Sequence, residues 1–143
     1  PDREAETKIL QLVRNENAQV SAPAQTLITQ HNIFSARQEM LALHMAEPVE
    51  RYIVELILAT RNPPERIKPW LEFGASPRGT IGLDMCARAL AWLNNRNFVT
   101  PEDVQSVAHD VLRHRVILSF DADAQGITTD QVIDDLIALV PVP

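Results

Sequence analysis

The sequence predicts an all-α fold, a compact bundle of five or six helices with one short extended segment. Three observations predict it. Apolar residues recur at spacings of three and four in Val49, Tyr52, Ile53, Leu56 and Ile57, in Val104, Val107, Val111 and Leu112, and in Ile133, Leu136, Ile137 and Val140. That is the period of a helix with one buried face. Each stripe follows helix-start chemistry: Pro48, the pair Thr100-Pro101, and the box Thr128-Thr129-Asp130-Gln131. A single brief run, Val116 to Phe120, reads as extended chain.

Taken in order, Pro1 to Arg14 is a short helix that Asp2 can cap, with Ile9, Leu10 and Val13 as its apolar edge. Asn15 to Thr26 is polar, carries Pro23, and reads as a loop; Leu27 to Phe34 is a connector without a clear period. Ser35-Ala36-Arg37-Gln38 has the form of a capping box before Met40, Leu41, Leu43 and Met45. Pro48 opens the next helix, and Asn62-Pro63-Pro64 stops it, because proline cannot continue a helix and constrains the residue before it. Glu65 to Phe73 is a linking turn holding Trp70, Leu71 and Phe73.

A central helix is expected from Pro77 to about Asn94. Ile81, Met85 and Trp92 mark one face, Cys86, Ala89 and Leu93 a second, and Leu83, Ala87 and Leu90 a third. A helix apolar nearly all round belongs in the middle of a bundle. Thr100-Pro101-Glu102-Asp103 combines an N-cap, a proline at the first helical position and two acids against the positive end of the dipole. Arg113, His114 and Arg115 close that helix, where cations suit the dipole. Thr128 to Gln131 opens the last helix, and Pro141 and Pro143 end it.

The start of the central helix is electrostatically odd. Ser76 suits the N-cap and Pro77 the first helical position, but Arg78 then sets a cation against the positive end of the helix dipole. Free N–H groups beside a guanidinium make a ready anion site. A phosphate held there would account for the arginine, and an arginine pointing into water is the plainer reading.

Composition excludes several classes of function. With 143 residues, 45% hydrophobic and 22% charged, the chain is long enough to bury a core and too apolar for disorder. Thirteen Lys and Arg against 19 Asp and Glu give a formal charge of −6. That disfavours a general nucleic-acid binder or an anionic-membrane binder, both of which gain affinity by neutralising phosphates. The single cysteine, Cys86, cannot form an internal disulfide, so a reducing cytoplasm is the simplest location. No apolar run approaches bilayer length, and no signal peptide is visible. The chain opens on Pro1 without an initiator methionine, as a processed chain or a cut from a longer protein would.

Self-contained catalytic chemistry finds no support. The four glycines do not fall in a phosphate-loop pattern. Histidines 31, 44, 109 and 114 lack the i, i+4 spacing of a helical metal site, so no metal is expected. Asp121-Ala122-Asp123-Ala124-Gln125-Gly126 opens like a calcium loop, but its twelfth position would be Val132 where a bidentate Glu is required; an acidic turn is expected. No serine or cysteine sits in a nucleophile elbow. Trp70 and Trp92 read as core or interface anchors.

Gly74-Ala75-Ser76-Pro77-Arg78, the alanine- and leucine-rich helix after it, Thr100-Pro101-Glu102-Asp103-Val104 and Val111-Leu112-Arg113-His114-Arg115 resemble the C-terminal half of MoxR-type AAA+ ATPases. The likeness extends back through Tyr52-Ile53-Val54-Glu55-Leu56 and Ala59-Thr60-Arg61, and forward to Val140-Pro141-Val142-Pro143. It implies that residues 1–26 are the last helix of an ATPase core with its linker, and that 27–143 form a helical lid over a nucleotide bound to that core. Arg78 then matches the sensor-2 arginine, which reaches the β- and γ-phosphates of ATP. Ser76 and Pro77 lie in the same turn, and Tyr52 and Ile53 could lie near the adenine, although core packing explains both equally well. The phosphate loop, the metal-binding acids and the arginine finger would precede Pro1. The resemblance therefore implies that ATP and Mg2+ are used by the parent ATP hydrolase, while this segment alone is inactive. Gly79 and Gly82 depart from the stronger helix formers and loosen the first turn. Implied partners are the N-terminal core, a homo-oligomeric ring such as a hexamer, and a von Willebrand factor A-domain protein, with client remodelling or maturation as the outcome.

Two other readings remain. A stand-alone helical interaction module would use Arg78 only as a solvated charge and show no nucleotide effect. A helical DNA-binding domain would need a basic face, which a net charge of −6 does not supply.

Overall fold

The computed structural model describes residues 2–18 and 28–143. Contacts group the chain into two units, Pro1–Phe34 and Ser35–Pro143. The first holds α1 (Arg3–Ala18) and the start of α2 (Gln30–Ala42). The Asp2 carboxylate caps α1 as expected, accepting the Ala5 N–H at 2.8 Å. α1 continues past Arg14 to Ala18, so the expected loop does not begin at Asn15, and its remaining stretch, 19–26, lies outside the described residues together with Leu27 of the expected connector. Gln30 to Phe34 is helical rather than a connector. The cap of α2 is Thr29, whose N–H donates to Asn32 Oδ1 (3.1 Å) while its hydroxyl accepts the Asn32 N–H (3.2 Å). Ser35 therefore lies inside the helix, and the Ser35–Gln38 box is not a helix start. Its hydroxyl reaches Glu39 one turn on instead.

The second unit is an all-helical bundle with one small sheet. α3 (Glu47–Arg61), α4 (Pro77–Leu93), α5 (Pro101–Leu112) and α7 (Thr129–Leu139) supply the core. A 3-10 turn (Lys68–Trp70) leads into β1 (Leu71–Phe73). β1 pairs antiparallel with β2 (Ile117–Leu118), Leu71 opposite Leu118 and Phe73 opposite Ile117. The expected extended run is thus present but shorter, and its partner comes from the stretch expected to be a turn. The acidic turn is a short helix, α6 (Phe120–Ala124), capped by Ser119, which accepts the Ala122 N–H. α6 brings the count to seven α-helices among the described residues. Gly126 follows at φ +70°, a left-handed backbone that glycine adopts without strain.

The three periodic stripes are the core. Val49, Tyr52, Ile53, Leu56 and Ile57 of α3 are buried with Val104, Val111 and Leu112 of α5 and Ile133 and Leu136 of α7. A smaller cluster of Ile67, Val132 and Leu136 closes the end beside the sheet. α4 departs from expectation. Gly79, Leu83, Ala87 and Ala91 form one buried line, whereas Ile81 is 63% and Leu93 67% exposed and Cys86 is exposed. Gly79, Ala87 and Ala91 keep that line low against its neighbours, and Met85, Ala89, Leu90 and Trp92 are half-buried.

Both expected threonine starts are present. Asp103 accepts the Thr100 N–H at 2.9 Å, and Gln131 accepts the Thr128 N–H at 2.8 Å. Asp103 carries a second load: Arg96 grips its buried carboxylate through both Nη atoms, the Nη1–Oδ2 contact being 2.6 Å. Among the described residues, no helix is long and apolar enough to cross a membrane.

Candidate functional site

The site is the start of α4, and the end of α3 builds it. Thr60 is buried; its hydroxyl donates to the Ile57 carbonyl (2.7 Å) and accepts the Ala75 N–H (2.9 Å). Arg61 Nε donates to the Ala75 carbonyl at 2.8 Å. Both backbone groups of Ala75 are therefore satisfied by consecutive residues of α3, one turn before Arg78. Gly74 makes the approach possible. A Cβ there would stand 2.4 Å from the Thr60 carbonyl oxygen and 2.8 Å from the Arg61 Cα, distances that no side chain tolerates.

Beyond this clasp, Ser76 takes the extended N-cap conformation and Pro77 the first helical position, as expected. The Ser76 hydroxyl, however, makes no bond to the first turn. The Gly79 N–H is met by the Ser76 carbonyl at 2.8 Å instead. Gly79 and Gly82 do not merely loosen the helix. A Cβ on Gly79 would meet Ile57 Cδ1 at 2.9 Å, and one on Gly82 would meet Val111 Cγ1 at 2.9 Å. They are glycine because α4 starts pressed against α3 and α5.

Arg78 stands on this base and is exposed. No hydrogen bond or ion pair among the described residues engages it, and no acidic residue occupies its helical turn. It is a cation aimed out of the unit, backed by an orphan hydroxyl and a helix dipole of the same sign. Such an arrangement can bind an anion. Ile81 and Met85 follow Arg78 at i+3 and i+7, on its side of the helix. They border a cleft of about 310 Å³ shared with Ile53, Val54, Thr80 and Asp84.

The expected site residues are only partly brought together. Ile53 lines the same cleft as Ile81 and Met85, though it is only 2% exposed. Tyr52, equally buried, borders a different cleft of about 600 Å³ between α3 and the segment 139–143, and its hydroxyl accepts from Gln105 Nε2 at 3.0 Å. Tyr52 is a core residue and does not join Arg78. Arg61 serves the clasp, Arg88 binds Asp84 and the Leu43 carbonyl, and Arg113 binds Asp130. No group of three His, Cys, Asp or Glu side chains among the described residues could hold a metal. Sequence reasoning missed Thr60 and Gly74 as site builders, since their contacts span a separation of 15 residues or close backbone approach.

Residues 64–136, just over half of the chain, match the AAA lid domain family. The chain belongs to that family. The lid is similar to the chaperone MoxR1 of Mycobacterium tuberculosis, with 42% identity over 96 residues that make up 64% of this chain and 26% of that protein. It is similar to the protein MoxR of Paracoccus denitrificans, with 34% identity over 110 residues, 70% of this chain and 32% of that one. A crystal structure of a candidate ATPase from Cytophaga hutchinsonii superposes with a TM-score of 0.82 and 35% identity, covering 99% of the lid chain and 44% of that protein. The lid chain thus spans less than half the length of each of these relatives. The match runs from Pro64 through Gly74 and Ala75, α4 and α5 to Leu136, so the Arg78 segment lies within it, while Thr60 and Arg61 precede it.

Proposed function

We propose that this chain is the lid of a MoxR-type AAA+ ATPase, and that Arg78 contacts the β- and γ-phosphates of ATP held by a core on the same polypeptide. The observation that carries the reading is the clasp. Thr60, Arg61 and Gly74 fix the backbone before Arg78, while the guanidinium itself is left without an internal partner. An unengaged cation on a rigid base is suited to electrostatic catalysis. Phosphoryl transfer gains most from such positioning and charge neutralisation. Val54, Ile81 and Met85 offer an apolar wall for the base of the nucleotide.

ATP supplies the transferable phosphoryl group. This chain supplies charge and orientation, and no group of three His, Cys, Asp or Glu side chains among the described residues offers a metal ligand set. Mg2+ would be held by the phosphates and the core. In this reading the parent protein works as a cytoplasmic homo-oligomeric ring, a hexamer, beside a von Willebrand factor A-domain protein. It turns ATP hydrolysis into remodelling or maturation of client proteins. The MoxR relatives, one of them named a chaperone, support that assignment.

The test is ATP hydrolysis by the full-length protein beside its Arg78→Ala variant. Turnover is expected to fall at least about tenfold. The stability of the lid should change by less than about 0.5 kcal/mol, because an exposed, unpaired arginine contributes little to folding. Undiminished turnover would remove Arg78 from the site. A parent without ATPase activity would return the lid to a role as an interaction module.

A further inference from the structure

Arg115 stands in the turn after α5, where its backbone N–H donates to the Leu112 carbonyl at 2.8 Å. Its Nε is buried and has no hydrogen-bond partner among the described residues. A buried guanidinium N–H left unmet is unfavourable, and native structures keep few such donors without a reason. The guanidinium lies against α4: a Cβ on Gly82 would stand 4.0 Å from both Nε and Nη2. Gly82 is one turn beyond Arg78 on the same side of that helix. Two guanidinium groups therefore share one side of the opening turns of α4.

Neither has a carboxylate among the described residues, although carboxylates are plentiful in a chain of net charge −6. Arg66, Arg88, Arg96 and Arg113 each have one. Like charges on one side of a helix are relieved by an anion that both can reach. A lone carboxylate would neutralise one of the two; a polyphosphate carries charge enough for both.

We propose that Arg115 is a second phosphate-binding residue of the nucleotide site, joining Arg78 on the polyphosphate. The inference rests on the reading of Arg78 given above. A turn about its terminal torsions presents the Nε–Nη2 edge to a pair of phosphate oxygens, the bidentate geometry at which arginine excels. The same contact satisfies the donor that is otherwise orphaned.

The experiment measures ATP and ADP affinity of the full-length protein for Arg115→Met, Arg115→Lys and Arg78→Ala, with the melting temperature of each. Methionine keeps the bulk and removes every donor. Arg115→Met is expected to weaken ATP about tenfold and ADP less, with no fall in melting temperature, since an unsatisfied donor has been removed. Arg115→Lys should recover part of the loss. Equal weakening of ATP and ADP with a lower melting temperature would make Arg115 a packing residue and overturn the proposal, as would unchanged ATP affinity. If Arg78→Ala impairs ATP binding and Arg115→Met does not, this inference alone falls. If Arg115→Met acts and Arg78→Ala does not, the Arg78 assignment falls and the Arg115 contact stands.

Discussion

Gly74 has no room for a side chain. The atoms that a Cβ would strike are backbone, the Thr60 carbonyl and the Arg61 Cα, and they cannot swing aside as a side-chain tip would. Gly74→Ala should therefore destabilise the lid by about 2 kcal/mol or more, an overpacking penalty that no rotamer change relieves. Urea unfolding of this chain measures it, and an unchanged midpoint would show that the loop can part from α3. Arg78 was legible at this scale, because a cation at a helix start contradicts the dipole and any reader of the sequence can see it. The clasp was not. Thr60 and Arg61 look like ordinary helix-terminal residues until Ala75, 14 and 15 positions later, is found hydrogen-bonded between them. The orphaned Nε of Arg115 was equally hidden, since burial of one side-chain atom depends on the α4–α5 crossing.

At the level of elements, α4 separates what periodicity can reveal from what it cannot. Its sequence is apolar on three faces, yet only the line through Leu83, Ala87 and Ala91 is buried. Leu83→Ala should cost about 3 kcal/mol, as truncation of a fully buried leucine does. Ile81→Ala should cost under about 0.5 kcal/mol, because that side chain is mostly exposed. Paired denaturation curves decide it, and equal costs would restore the picture of a helix buried all round. The face of α4 that buries was not legible because three of its four residues, Gly79, Ala87 and Ala91, are small and signal close helix approach rather than hydrophobicity. α3, α5 and α7 were legible down to their first residues, since their proline and threonine starts agree with their stripes. α2 misled for a stated reason. Its true cap pairs Thr29 with Asn32, whereas the eye is drawn to Ser35 and Gln38, which match the commoner Ser/Thr-to-Glu/Gln form.

For the whole molecule, three carboxyls among the described residues, Glu102, Asp103 and Asp130, are held below their ordinary range, and Asp103 is the buried one. Burial by itself would raise the Asp103 carboxyl, but the Arg96 guanidinium and the Thr100 N–H outweigh it and hold the group below the ordinary carboxylate range. A carboxyl depressed on folding contributes stability above its unfolded value, near about 4, and that contribution is lost as pH falls through the folded value. The native lid should thus lose stability steeply below about pH 4. Asp103→Asn should be less stable at neutral pH by about 2 kcal/mol and show a flatter acid slope. Denaturation midpoints between about pH 6 and pH 2.5 test the sign, and parallel curves would exclude Asp103 as the main acid-sensitive group. The clasp has a mechanical consequence at this same scale. With both polar groups of Ala75 tied to the last turn of α3, the backbone beneath Arg78 has no freedom of its own. Any torque that turns α3 is passed to the root of the arginine, while the unpaired guanidinium turns on its own side-chain torsions. The clasp therefore works as a shaft with a universal joint at its tip, rigid in where it places the side chain and loose in where that side chain points.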